Sequence, residues 1–368
     1  MFKKLQSLQD KFVRHFSHND LDGFAPQILS ELSTFDFGTY IHCGYDNFEA
    51  KLEETIAEFE KEDKKTYEEK AILITDISPN TESVKLLERL NALFEAGVTV
   101  VLLDHHDTAK PIAEKYPKWA LIEKELDGQL TCATELYYLY LKEKDAFGFP
   151  FDESKYLANF VEQVRSYDTW DWSRTGNVFA KELNSVLYAV GSTQFIDIQI
   201  EKIANKVGDS NADTYGFDHV EATLVEVENK REEKYIQSRQ KNLIESTWKV
   251  ADKDYKVGVV FADQFHSTLG NELSKANAHL DFIAILDMNS GKGSLRTIST
   301  NVHLGEIAKA MAGGGGHPMA AGFQFSTSNV ITSIEEVLDV RESNVEAASK
   351  NTVTIPIKRP RIKSKKAK

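Results

Sequence analysis

The stretch Val98-Thr99-Val100-Val101-Leu102-Leu103-Asp104-His105-His106-Asp107 decides the fold. A β-rich, largely apolar run ends abruptly in an acid and two histidines. Buried parallel strands read this way when they deliver polar side chains at their C-terminal ends. In open α/β sheets that edge is where ligands bind. Two imidazoles between two carboxylates make a poor core and a good metal site.

Working outward, the same pattern recurs. Phe12 to Ser17 reads as a strand, followed by His18-Asn19-Asp20-Leu21-Asp22-Gly23 and a helix from near Phe24. Taken alone, that turn reads first as a helix cap and second as two carboxylates facing one cavity. Thr39 to Cys43 is a second strand and Asn47 to Glu62 an amphipathic helix. Ala71 to Thr75 is a buried strand ending at Asp76, and a helix is expected from Pro79-Asn80 to Gly97. Strands alternating with helices predict a doubly wound parallel sheet of the α/β class. One acid at a strand end is unremarkable. Asp20/Asp22, Asp76 and Asp104/His105/His106 would crowd one sheet edge, where like charges repel without a cation.

Ala133 to Lys144 reads as a helix covering the sheet. Asp168, within Tyr167-Asp168-Thr169-Trp170-Asp171-Trp172, is either a buried carboxylate or a surface helix end with its tryptophans turned inward. Val220 to Thr247 reads as a charged connector helix. Strands are expected at Val257–Phe261, Asp281–Leu286 and Leu295–Ile298, and a short helix at Leu304–Met311. Gly313-Gly314-Gly315-Gly316-His317 follows, either a flexible loop or a backbone cradle for phosphate. Arg296 on a neighbouring strand is a phosphate clamp or an ordinary exposed arginine.

The chain has 368 residues and a net charge of −13, although Lys358–Lys368 is strongly basic. An acidic body does not suit a protein that coats long nucleic acid, but it concentrates divalent cations. The two cysteines, Cys43 and Cys132, make no disulfide framework, and no apolar run spans a bilayer, so a cytoplasmic protein is expected.

Taken in order, His18-Asn19-Asp20-Leu21-Asp22-Gly23, Asp76, Asp104-His105-His106, Asp168 and Gly313–His317 resemble the DHH phosphoesterase superfamily with its DHH-associated C-terminal domain, in an oligoribonuclease branch. The resemblance implies a catalytic domain over 1–185, a helical connector over 186–248 and a smaller α/β substrate-binding domain over 249–343. The tail, 344–368, would be disordered, and the active site would lie between the domains.

The resemblance also implies two Mn²⁺ ions, with Mg²⁺ a poorer fit. His18, Asp20 and Asp76 would hold one. Asp22, Asp76, His105 and Asp168 would hold the other, with Asp76 bridging. His18 stands two residues before Asp20, closer than in many relatives, and His15 is the competing histidine. His106 would face the phosphate, Asp104 would orient the histidines, and Arg296, Gly314, Gly315, Gly316 and His317 would grip the substrate. The implied substrate is short single-stranded RNA or a dinucleotide, with no membrane partner and a homodimer left open. The competing readings are a RecJ-like DNA exonuclease, a linear or cyclic dinucleotide phosphodiesterase, a phosphoadenosine-phosphate phosphatase, and a nucleic-acid scaffold without catalysis.

Overall fold

The computed structural model describes residues 1–148, 151, 153–206, 209, 213–312 and 314–337. Gly313 and the basic tail at 344–368 lie outside the described residues. The chain forms two compact units, Met1–Lys230 and a second beginning at Arg231. None of the described helices is long and apolar enough to cross a membrane.

The first unit is built on β1 (Phe12–His18), β2 (Phe37–Cys43), β3 (Lys70–Thr75), β4 (Thr99–Asp104) and β5 (Ala120–Ile122). They pair in the order β2-β1-β3-β4-β5, every neighbour parallel. Side chains alternate across a strand, so β3 sends Ala71 and Leu73 to one face and Ile72 and Ile74 to the other. On the first face lie α1 (Leu21–Glu31) and, from later in the chain, α5 (Ala133–Glu143) and α6 (Lys155–Asp168). On the second lie α2 (Phe48–Glu60), α3 (Val84–Glu95) and α4 (Lys110–Lys115). A sheet covered on both sides needs continuous apolar strands, as Val100 to Leu103 show. The chain leaves β1 to one side and β3 to the other, so the topological switch falls between them, where ligands bind in such sheets.

Several boundaries differ from the sequence reading. Helix α1 begins at Leu21, not near Phe24, because the Asp20 carboxylate caps it by accepting from the Gly23 N–H. Helix α3 begins at Val84, and Pro79-Asn80 is loop, tied by the Asn80 N–H to Glu49. Gly97 ends it with φ +115°, a conformation that glycine tolerates.

Three helices follow in the first unit, α7 (Asp171–Thr175), α8 (Val178–Val190) and α9 (Ser192–Lys206), after a small ribbon, β6 (Glu125–Leu126) with β7 (Gln129–Leu130). Helix α10 (His219–Lys241) ends before the predicted Thr247, which lies instead in β8 (Ile244–Val250). Trp248 and Val250 alternate inward there, a strand period hidden behind the charged run that precedes it.

The second unit also contains β9 (Lys253–Phe261), α11 (His266–Ala276), β10 (Phe282–Asp287), β11 (Lys292–Arg296), α12 (Leu304–Ala312), β12 (Gly315–Gly316), β13 (Ala320–Gln324) and α13 (Thr327–Val337). Its six-stranded sheet runs β12-β13-β11-β10-β9-β8 and is antiparallel except for β9 against β10. The architecture is α/β throughout.

Candidate metal centre

Three strand ends converge at the switch point. β1 supplies His18, Asp20 caps α1 and Asp22 stands in its first turn. β3 is followed at once by Asp76, and β4 ends in Asp104, followed by His105 and His106. Asp168 arrives separately, as the last residue of α6.

Ligand-type atoms gather in three overlapping groups. One is His18, Asp20 and Asp76; another is Asp22, His105 and Asp168; a third joins Asp76 to Asp104, His105 and His106. His105 Nε2 lies 3.4 Å from Asp76 Oδ1, 3.5 Å from Asp168 Oδ2 and 3.8 Å from Asp22 Oδ2. His18 Nδ1 lies 2.7 Å from Asp20 Oδ2 and 3.7 Å from Asp76 Oδ2. His15 is elsewhere, buried among Phe37, Tyr40 and Tyr137, with Nε2 on the Thr75 hydroxyl.

Asp76 Oδ2, His105 Nε2 and Asp168 Oδ2 are buried and accept or donate no hydrogen bond among the described residues. Buried polar atoms are normally satisfied, so three orphans within one cluster of ligand-type residues need an explanation. A divalent cation supplies it, since imidazole and carboxylate donors without thiolate suit a hard or borderline ion. The electrostatics agree. Burial, then the charges of Asp22 and Asp20, hold the Asp76 carboxyl well above its usual range. Burial and Asp22 push Asp168 up to about 7. Burial works against a charged His18, yet its hydrogen bond to Asp20 and the nearby carboxylate of Asp76 outweigh that and raise it to about 10. Positive charge placed among these carboxylates would relieve their mutual repulsion. The Asp76 backbone sits at φ +59°, an uncommon conformation for a non-glycine residue and a mark of functional sites.

Asp104 has a different environment. Its Oδ1 accepts from the His105 N–H at 2.7 Å, the His106 N–H at 3.3 Å and the His106 ring Nδ1 at 2.7 Å. Ser78 Oγ donates to its other oxygen. Burial alone would raise its pKa, but the His106 bond outweighs it and holds the carboxyl low. Asp104 therefore fixes the His106 ring through Nδ1 and holds the His105 backbone.

Neighbours from outside the motifs complete the site. The N–H groups of Ala133 and Thr134, at the start of α5, bind the two oxygens of Asp22 at 2.8 and 2.9 Å. Ser17 and Thr75 bind each other beneath His18 and Asp76. Tyr45 stands beside His18 and His106. Nothing local in the sequence marks these residues, because their partners come from distant segments. Gly23 acts differently from the turn glycine expected: it lies inside α1, and a Cβ there would be 2.1 Å from the His18 carbonyl oxygen. Trp170, expected to pack inward if Asp168 were a surface helix end, is 41% exposed while Asp168 is turned into the cluster.

In the second unit, Gly315-Gly316 is not a loop but an edge strand, Gly315 opposite Gly322 and Gly316 opposite Ala321. A Cβ at Gly314 would meet the Gly322 carbonyl at 2.2 Å, so close backbone approach requires glycine there. The Gly314 N–H is taken by the Ala308 carbonyl and the His317 N–H by that of Ala320. Arg296 lies opposite Ala320 on β11, half-buried across Gly270, with its guanidinium on the Leu295 carbonyl and Ser267 Oγ. The sheet thus brings Arg296, Gly314–Gly316 and His317 to one end.

A family model described as the DHHA1 domain matches residues 256–345. Oligoribonuclease NrnB of Bacillus subtilis is 36% identical over 308 residues, covering 83% of this chain and 71% of that protein. The chain belongs to the DHH phosphoesterase superfamily, in its NrnB branch. As a DHH phosphoesterase it is a hydrolase of the nuclease and phosphodiesterase kind. A 3′,5′-cyclic-nucleotide phosphodiesterase of Helicobacter pylori is 25% identical, over 89% of this chain and 99% of that protein. Among solved structures, exonuclease RecJ bound to manganese aligns over 94% of this DHH phosphoesterase and 91% of that chain, with 16% identity and a TM-score of 0.49.

Proposed function

We propose that the protein is a Mn²⁺-dependent phosphodiesterase that hydrolyses short oligoribonucleotides to mononucleotides in the cytoplasm. The observation that carries this reading is the trio of buried, partnerless atoms on Asp76, His105 and Asp168. His18, Asp20 and Asp76 would hold one ion, and Asp22, Asp76, His105 and Asp168 the other. When bound, the ions supply Lewis acidity that lowers the pKa of water from about 15.7 towards 7 and offset charge on the phosphoryl oxygens.

The chain's own residues do the rest. Asp104 anchors His106 through Nδ1–H and, against the cost of burial, favours its imidazolium form, in which Nε2–H is a donor to a phosphate oxygen. The amides of Ala133 and Thr134 hold Asp22 in one orientation, which preorganises the cluster. In the second unit, the remaining Arg296 donors and the His317 ring are suited to a terminal phosphate or nucleotide. The identity to oligoribonuclease NrnB supports short RNA as the substrate.

The test is purified protein with Mn²⁺ and a labelled, very short RNA. Release of mononucleotides, lost in Asp76→Ala, is expected. A second reading, cyclic-nucleotide hydrolysis, is favoured by the Helicobacter pylori relative, which matches over nearly its whole length. Cleavage of a cyclic nucleotide in preference to RNA would select it, and inertness on RNA, DNA and cyclic nucleotides alike would overturn both.

A further inference from the structure

A cavity of about 570 Å³ opens beside His106, on the β2, β3 and β4 side of the first unit. That volume is within the range of roughly 300–1,000 Å³ typical of small-molecule sites. It is lined by Tyr45, Glu49, Asn80, Thr81, His106 and Thr108, among others. We infer that this cavity is a nucleoside subsite, which seats an uncharged nucleoside on one side of the scissile phosphate with its base against Tyr45. The inference rests on the phosphodiesterase reading for what lies at the metal cluster.

Three observations carry it. The Tyr45 ring is 62% exposed, although its centroid is only 5.0 Å from the His18 ring and 6.5 Å from that of His106. A tyrosine recruited for packing would be covered; an aromatic face left open beside a phosphate site is what a base stacks on. Second, the wall is held in place. Glu49 accepts from the Asn80 N–H at 2.7 Å and from Ser83 Oγ at 2.9 Å, tying the start of α2 to the loop after β3. Asn80 Oδ1 accepts from the Glu82 N–H. The Asn80 side-chain amide N–H groups and the hydroxyls of Thr81 and Thr108 are left without a partner among the described residues, as hydrogen-bonding groups for a base edge or sugar. Third, His106 on the lining is paired with Asp104, so the charge left over there is the Glu49 carboxylate, and the lining holds no lysine or arginine. Like charge disfavours a second phosphate, so the group that fits is neutral.

The inference is tested with Mn²⁺, the dinucleotide ApA and its abasic analogue. Tyr45→Ala is expected to lower kcat/KM for ApA about ten-fold, the loss of roughly one stacking contact. Tyr45→Phe and Tyr45→Trp should stay within about two-fold of the parent, because each keeps an aromatic face. On the abasic analogue, Tyr45→Ala should match the parent. An equal loss on both substrates would mean that Tyr45 merely supports the histidines and would overturn the inference, as would no loss on ApA. Of pApA and ApAp, one should be cleaved about ten-fold less well than ApA, through like-charge repulsion in the cavity. Equal cleavage of all three would remove the claim of neutrality. Inertness of the parent protein on every diester would sink the phosphodiesterase reading instead. Equilibrium dialysis with labelled adenosine then decides the cavity separately: retention by the parent and loss in Tyr45→Ala supports it, and no difference overturns it.

Discussion

The Asp22 carboxylate accepts a 2.8 Å hydrogen bond from the backbone N–H of Ala133, a residue 111 positions further along the chain. Its second oxygen takes the Thr134 N–H, so the N-terminus of α5 is capped by a residue of α1. Asp22→Asn replaces one acceptor with an amide that donates, leaving a buried N–H unpaired. A loss of about 1–3 kcal/mol in the metal-free protein is expected, read as a lower denaturant midpoint. An unchanged midpoint would mean that the cap adds nothing.

Asp76 should behave in the opposite way. Its carboxylate faces Asp22, Asp20 and Asp168 in a buried site, so Asp76→Asn relieves repulsion and should leave the metal-free protein at least as stable as the parent. Mn²⁺ at about 100 times its Kd should stabilise the parent by about 2.7 kcal/mol. The variant should lose most of that increment. Thermal melts with and without Mn²⁺ measure both quantities, and an intact increment in Asp76→Asn would remove this residue from the metal set.

Acid should weaken the first unit through His42. Burial, reinforced by the Lys51 charge and only partly opposed by a hydrogen bond involving the Gly23 backbone, lowers its pKa to about 4. The unfolded chain protonates near 6.5, so between these values it binds more protons than the folded chain. Stability contributed by neutral His42 is therefore complete above about 6.5 and falls as pH drops towards 4, by an amount on the order of 2 kcal/mol. Buried His15, whose pKa is lowered well below the usual value, adds a loss of the same sign. Urea midpoints across this window should fall more steeply for the parent than for His42→Gln.

The hairpin between β8 and β9 turns through Ala251 and Asp252, at φ +45° and +65°. Both are in the left-handed region that two-residue hairpin turns require, and alanine pays for it in Cβ strain. The double change Ala251→Asn and Asp252→Gly should stabilise the second unit by about 1 kcal/mol, measured by hydrogen exchange of β8 and β9 amides.

The strands ending at His18, Thr75 and Asp104 and the glycine run are local patterns, legible because a buried parallel strand must be apolar until it nears the ligand-binding edge. Two competing local readings could not be separated that way. His15 and His18 lie on the same strand, three residues apart, and only packing shows His15 enclosed by Phe37, Tyr40 and Tyr137 while His18 meets Asp20 and Asp76. The end of α10 leaves no local mark, because its charged composition runs into β8 without a glycine or proline at the change.

Residue order alone therefore determined the α/β class, the sheet edge that gathers the acids, and the superfamily, since all three depend on periodicity and on motifs in sequence. Tertiary structure decided which atoms remain unpaired, that Asp168 turns inward, that Ala133 and Thr134 hold Asp22, and that Tyr45 stands open beside His106. Those facts depend on segments tens to more than a hundred residues apart meeting across the sheet edge, and no local pattern encodes the distance between them.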